Sequence, residues 1–463
     1  MKSLKIGLFV LSIVVLLGSG CVSKKRNKVD TTIETYQSPI KQSSVRYSEI
    51  HLPITFQKSV LSELMNISLD SLIESGILSE VDGMQVIIER ADDCYVEASE
   101  RDILANIPLK ITVVKRVLMA KVKAMGSVNL MTSTAFDIDP FWNVKTQTQL
   151  IDYQWTKPMK VVSGIGGFSI EGIANSIIEN SKQKLTDQVD DALSNKVRIQ
   201  EYVDKVTKQV RNPIKVDEPY NGYIQVSPDT IMLAGFQNDA DIIRNVVTFN
   251  VNSKLHASKP EAGIFKGLPR FEWTDIEADS STLALPVEIT YQQIQDVVSS
   301  YIVGQTFTDD KRSITIKSLD IRGSGKHIQA IADVEGSFNG TLLISGIPEY
   351  DRDNKLLYAK EIDVKVQTKN VIQQAAAWLG KGIIKSKLEE LLRFSLKDQM
   401  DGIQDLIDSN LESLVAAKGV EMQVTLNEID IDEFLLLPDY IQSTILVDAV
   451  LKVDVNAVPD LKF

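Results

Sequence analysis

The chain has 463 residues, 44% of them hydrophobic, and a formal net charge of −12. At about 150 residues per domain this length suggests two or three domains, and the apolar share is enough to build cores. The acidity argues against a nucleic-acid partner, whose phosphates it repels, and against adhesion to anionic lipid over a broad face.

Residues 1–20 read as a secretory signal peptide. Met1 to Lys5 is a short basic start, an apolar run follows from Ile6 to Leu17, and Gly18-Ser19-Gly20 is a small-residue exit. The run is shorter than the roughly 20 apolar residues of a transmembrane helix. Leu16-Leu17-Gly18-Ser19-Gly20-Cys21 resembles a bacterial lipobox, with its large aliphatic residue at Leu17, one step further from the cysteine than usual. The resemblance implies a diacylglyceryl thioether on Cys21, removal of residues 1–20 and acylation of the new N-terminus. More than one acyl chain is needed for stable anchoring, each buried CH2 contributing about 0.8 kcal/mol. Loss of Lys2 and Lys5 with the signal takes the net charge from −12 to −14. Val22-Ser23-Lys24-Lys25 follows the cysteine with no adjacent Asp. That favours an outer-membrane address, facing the periplasm or the cell surface, in a cell that has one.

Cys94 is the second of two cysteines. With Cys21 acylated it lacks an intramolecular partner, so its plain reading is a packed or half-exposed thiol, and stability must come from the core. Residues 21–48, rich in Lys, Arg, Ser, Thr and Gln, read as the lipidated cysteine and a flexible tether.

The body runs twice, with a first module at 49–256, a connector at 257–282 and a second module at 283–463. Leu52-Pro53-Ile54-Thr55-Phe56-Gln57 opens the first copy, and Leu285-Pro286-Val287-Glu288-Ile289-Thr290-Tyr291-Gln292 the second. An amphipathic segment follows each (Val60 to Met65; Ile294 to Ile302). Strict alternation then predicts a long antiparallel strand with one buried face. In the second copy it runs through Ile328, Ala330, Ala332, Val334, Gly336, Phe338, Gly340, Leu342 and Ile344. In the first it runs from Leu118 to Leu130, with Gly126-Ser127 matching Gly336-Ser337. Further strands are expected at Val144 to Trp155 and Leu356 to Gln367.

A long helix is predicted next in each copy. Its apolar steps are Ile173, Ile177, Leu185, Val189, Leu193 and later Tyr202, Val203, Val206 and Val210 in the first. In the second they are Leu388, Leu391, Leu392, Leu396, Met400, Ile403 and on to Leu414. Strand pairs return after each (Tyr223 to Val226 with Val246 to Val251; Val420 to Leu426 with Ile445 to Val453). The expected fold is α+β: two tandem modules, each a long curled antiparallel sheet wrapped on a long amphipathic helix. A helix narrower than its sheet leaves an apolar groove suited to acyl chains. The groove candidates are Leu185, Val189, Leu193, Leu388, Leu392, Leu396 and Phe338, although a stripe at helical spacing is first a core stripe.

At this point the chain resembles the tubular lipid-binding superfamily of the bactericidal/permeability-increasing protein. More closely it resembles a family of bacterial envelope lipoproteins known only as a domain of unknown function. Gly346-Ile347-Pro348-Glu349-Tyr350-Asp351, Lys360-Glu361-Ile362-Asp363-Val364 and Gln374-Ala375-Ala376-Ala377-Trp378-Leu379 carry that likeness. It implies a tubular fold and lipid or lipopolysaccharide-like ligands, and it carries over no catalytic residue.

Other chemistry is faint. His51, His256 and His327 are far apart, and no Cys cluster offers a metal site. Gly323-Ser324-Gly325-Lys326 resembles the end of a phosphate loop. Asp320 stands where the first Gly belongs and His327 where the Ser/Thr belongs, so a hairpin turn is expected. Gly164-Ile165-Gly166-Gly167 reads as a flexible helix entry or a groove mouth rather than an anion site, and Asp92-Asp93, Asp190-Asp191 and Asp309-Asp310 as solvated acids. No Gly-x-Ser-x-Gly elbow occurs. The expectation is therefore a non-enzymatic, cofactor-free envelope lipoprotein. Its partners are a membrane, through the N-terminal lipid, and a lipid ligand. The alternative is a structural lipoprotein serving an unidentified envelope protein.

Overall fold

The structure, a computed structural model, describes residues 48–458 apart from 75–79, 82, 118–119, 164–174, 176–177, 180–181, 185, 188, 192–198, 217–221, 257–258, 261–266, 310–311, 367–381, 398–418 and 433. The chain enters on β1 (Ser48–Gln57) and passes without a linker into α1 (Lys58–Glu74). A first six-stranded sheet follows: Glu80–Val81, β2 (Met84–Arg90), β3 (Tyr95–Ser99), β4 (Asp102–Val117), β5 (Ala120–Ile138) and β6 (Val144–Ser163). β2, β4, β5 and β6 lie side by side, and β3 pairs on β4 beyond the end of β2. After α2 (Ile199–Val210) come β7 (Gly222–Leu233) and β8 (Ile242–His256), and β8 pairs antiparallel along the whole of β1.

The second half repeats this order. β9 (Ser280–Thr290) passes directly into α3 (Tyr291–Ile302), whose first turn is closed by a capping box between Thr290 and Gln293. Thr306–Asp309, β10 (Arg312–Ser324), β11 (His327–Gly336), β12 (Gly340–Asp351) and β13 (Leu356–Val366) form a second six-stranded sheet. Phe394–Ser395 completes it after α4 (Ile383–Leu391). β14 (Val420–Ile431) and β15 (Tyr440–Val455) then return beside β9.

A ten-stranded central sheet joins the halves in the order Arg270–Trp273, β7, β8, β1, β9, β15, β14. Each half supplies three long strands in twofold-related order, β7-β8-β1 against β14-β15-β9. They meet at a seam where β1 and β9 share one register pair, Glu49 with Thr282. Serines replace the missing ladder there. Ser48 accepts from the Ala284 N–H at 2.9 Å and donates to the Ala284 carbonyl at 3.2 Å. Ser281 accepts from the His51 N–H at 2.9 Å and donates to the His51 carbonyl at 3.0 Å. Laying Leu52-Pro53 on Leu285-Pro286 also lays Ser48 on Ser281 and His51 on Ala284, so the two bridges are copies of one device. Pro53 and Pro286 flank the same seam. Each has a register partner on one side only, where a missing N–H is tolerated.

Several expectations are corrected. The α+β class gives way to a mostly β protein with two curled half-barrel sheets. The alternating run from Ile328 to Ile344 is two strands, β11 and β12, turning at Ser337-Phe338-Asn339. Gly336 has φ +141°, open to glycine but rarely to other residues, and a Cβ there would lie 2.4 Å from the Ser313 carbonyl. Gly336→Ala is expected to destabilise the protein by about 3 kcal/mol, read from the urea midpoint. Gly126, by contrast, stays inside β5, at irregularities in its pairing with β6. The Leu388-to-Leu396 stripe is not one helix, since α4 ends at Leu391 and Phe394–Ser395 pairs with β13. Residues 257–282 are more than a connector. Arg270–Trp273 is a strand, and the Trp142 indole donates to the Pro269 carbonyl at 2.7 Å, docking the first sheet onto the central one. Trp142, Phe271 and Trp273 stack edge-on beside it.

Cys94 is buried. Beside it the Arg90 guanidinium reaches Asp70 of α1 at 3.0 Å and Asp93 at 2.8 Å, and holds the Asp70 carboxyl below its usual range. Burial pushes the Cys94 thiol up to about 11. The folded protein is expected to leave Cys94 unmodified by a disulfide reagent at mildly alkaline pH, because the thiolate is the reactive form. Modification should appear only in denaturant, and fast labelling of the native chain would contradict this.

Candidate functional site

The second sheet curls around an apolar chamber of about 260 Å³. α3 contributes Ile294, Val298 and Ile302, β10 contributes Ile316, Leu319 and Ile321, and β11 contributes Ile328 and Ala330. The far wall is Ile344 and Pro348 of β12 with Leu357, Ala359 and Ile362 of β13. Val287 and Ile289 of β9 and Ile441 and Ile445 of β15, at the end of the central sheet, close the base. The chamber surface is almost wholly apolar, with Ser345, Tyr358 and Ser443 as its hydroxyl-bearing residues.

Local chain geometry explains why space remains. Where β12 meets β13, Glu361 and Ile362 together oppose Gly346, a bulge that places Glu361 at φ 52°. A bulge bends its strand and re-aims side chains, and here it curls the wall. A Cβ on Gly346 would sit 3.3 Å from the Ala359 Cβ, so a larger residue would press into the opposite strand. Ala330, Gly346 and Ala359 leave volume that Leu or Phe would fill.

Polar clamps hold the wall from outside. Glu349 pairs with Lys360 and accepts from the Tyr358 hydroxyl at 2.7 Å, and the two hold its carboxyl below the usual range. Glu349 and Lys360 belong to two of the three stretches that carried the family likeness, now seen as neighbouring strands. Arg352 meets Asp430 at 3.1 Å and Lys355 meets Glu428 at 2.8 Å, pinning the β12–β13 turn to β14. Burial, with Asp430 and Glu428 nearby, pushes the Tyr350 hydroxyl up to about 12, so it stays neutral.

Of the sequence candidates, Leu388 and Leu392 line the chamber. Leu396 and Phe338 are buried in the surrounding core cluster. Val189 is a half-buried helical residue in the first half, and Leu185, Leu193 and Cys21 lie outside the described residues, as do Gly164 to Gly167 and Trp378. Most of the wall is strand, which a search along helical stripes does not find. The usable signal was the alternating set Ile328, Ala330 and Ile344, with small residues among large ones. Ser324 and His327 pair across Gly325-Lys326, so the expected hairpin turn is present. Asp190 is not merely solvated: its carboxylate accepts from the Thr148 N–H at 3.0 Å and from the Thr148 hydroxyl at 2.7 Å, capping the edge of β6. Among the described residues no group of three or more His, Cys, Asp or Glu is placed to hold a metal ion, and no helix is long and apolar enough to cross a membrane.

Fold and chamber together define a mostly β protein of two repeated halves that shelters an apolar cavity. The chain belongs to the family described as a domain of unknown function (DUF4403), whose model matches residues 46–455. No curated protein matches it. Among solved structures it is similar to the crystal structure of lipopolysaccharide binding protein, at 10% identity and a TM-score of 0.31, over 88% of this chain and 99% of that one. It is also similar to the crystal structure of P47 of Clostridium botulinum E1, at 9% identity and a TM-score of 0.20, over 86% and 98%.

Proposed function

We propose that this protein binds a long apolar molecule, an acyl chain of a lipid foremost, in the chamber of its second half. We further propose that acylated Cys21 holds it to a membrane of the cell envelope and that it acts without catalysis. The observation that carries the binding reading is the chamber's nearly unbroken apolar wall. A cavity of roughly 150 Å³ lined by such side chains stays dry and takes up an apolar guest, and this one is larger. Of its polar lining, the Tyr358 hydroxyl is committed to Glu349 and the Ser443 hydroxyl to the Asp432 carbonyl.

The test is native mass spectrometry of the full chain purified from its own cells in mild detergent. Lipid retained in stoichiometric amount, and released on unfolding, is the expected result. A chain that emerges empty, and stays empty when offered phospholipid or lipid A, overturns the reading. One protein partner co-purifying at fixed stoichiometry with an empty chamber would favour the scaffold alternative.

A further inference from the structure

The first sheet carries a feature that the net charge of −12 conceals. From Ile103 to Phe136 and from Tyr153 to Ile170 the chain has no Asp or Glu, although it has 62 such residues in all. Those stretches are most of β4, all but the end of β5, and the second half of β6. Their cations fall together. Arg116 opposes Lys121 across β4 and β5. Lys123 opposes Ser163, Lys160 opposes Met125, and Lys157 opposes Ser127 across β5 and β6.

Opposed residues share a face of a sheet, and alternation puts Lys121 and Lys123 on the face opposite buried Ala124 and Val128. Arg116, Lys121, Lys123, Lys157 and Lys160 are all exposed. With neighbouring strands about 4.8 Å apart, they occupy a patch about 20 Å across. Lys110 lies on the same face, tied to Glu89 at 2.7 Å, and Glu89 and Glu80 are exposed acids at this end. Ile87, exposed on β2, and half-buried Met125 lie among the charges.

We propose that this outer face of the first sheet docks the protein on an anionic lipid bilayer. Charge complementarity selects an anionic partner, and the shape of the charge selects a plane. A flat bilayer meets this face, where six cations (Lys110, Arg116, Lys121, Lys123, Lys157 and Lys160) outnumber the two acids Glu80 and Glu89. A nucleic acid wrapping further would meet the acidic remainder, and the patch lacks the aromatic platforms that stack bases. This docking depends neither on a lipid at Cys21 nor on an occupied chamber.

The experiment uses the full chain with Cys21→Ser, so that no acyl anchor masks the contact. Co-sedimentation is compared on vesicles of phosphatidylcholine alone and of phosphatidylcholine mixed equally with phosphatidylglycerol. Preference for the mixed vesicles, lost near 1 M salt, is expected. Each neutralised cation should weaken binding about fivefold, so Lys121→Gln, Lys123→Gln and Lys160→Gln together should weaken it about a hundredfold. All three side chains are exposed, so the unfolding midpoint should hold, and Lys254→Gln in the central sheet should change nothing. Equal binding to both vesicle types, or a triple variant that binds like its parent, overturns the proposal. Salt-sensitive retention on an oligonucleotide column without vesicle preference would give the face to nucleic acid instead, and also overturns it.

Discussion

Replacing Ser48 and Ser281 together by alanine is expected to remove about 4 kcal/mol of folding stability. Both hydroxyls are nearly inaccessible, at 1% and 4% exposure, and each bridges the N–H and carbonyl of one residue on the other half's first strand. Removing a hydroxyl leaves a buried amide without an acceptor, at about 1–3 kcal/mol each. The single changes should be unequal. After Ser48→Ala the Ala284 carbonyl keeps the Ser253 hydroxyl and only the N–H is stranded. After Ser281→Ala both His51 backbone groups lose their partner. Urea unfolding followed by fluorescence should place Ser281→Ala below Ser48→Ala. In the double variant one transition should resolve into two as the halves uncouple. Variants that unfold at the parent midpoint would mean that β15, which also pairs with β1 at Ile54 to Phe56, holds the halves together without the serines.

The repeat was the legible part of this fold, and the seam shows why. Leu52-Pro53 and Leu285-Pro286 mark the same point of two copies, and their serine bridges obey the same offset. The starts of β5, β6 and β13 were legible too, although β5 and β6 run eight residues past the expected ends at Leu130 and Trp155. What alternation could not show was the break at Gly336, because period two continues unchanged through a tight hairpin. Only the glycine φ and the Ser313 carbonyl behind it distinguish two strands from one. Nor could it show that the opening and closing strands of both copies leave their modules to build one shared sheet, since partner choice between distant strands leaves no local pattern. The helical stripe misled for a related reason. Leu388, Leu392 and Leu396 keep helical spacing across a helix end, and Phe394 and Leu396 serve a strand and its flank instead. The chamber was legible as an apolar groove but not in its place, because its wall depends on a bulge and on three small residues rather than on any stripe.

Those small residues give the sharpest functional expectation. Ala330→Phe should place a ring in the chamber and cut retained lipid at least about tenfold, the equivalent of some 1.4 kcal/mol of affinity. Ala330 faces Ile344 across the β11–β12 ladder and lines the cavity with it. A chamber of about 260 Å³ has room for a phenyl group without moving either strand. Stability tells the two readings apart. If the chamber is a real void that a ligand fills, the ring replaces lost dispersion contacts and the empty variant unfolds no earlier than the empty parent. If the halves are solid scaffolds with a closed core, the same ring is an overpacking error and lowers stability by about 1–3 kcal/mol. Mass spectrometry of the purified variant reads the first quantity and urea unfolding of delipidated protein the second. Lost lipid with held stability supports the chamber, whereas retained lipid places the ligand elsewhere.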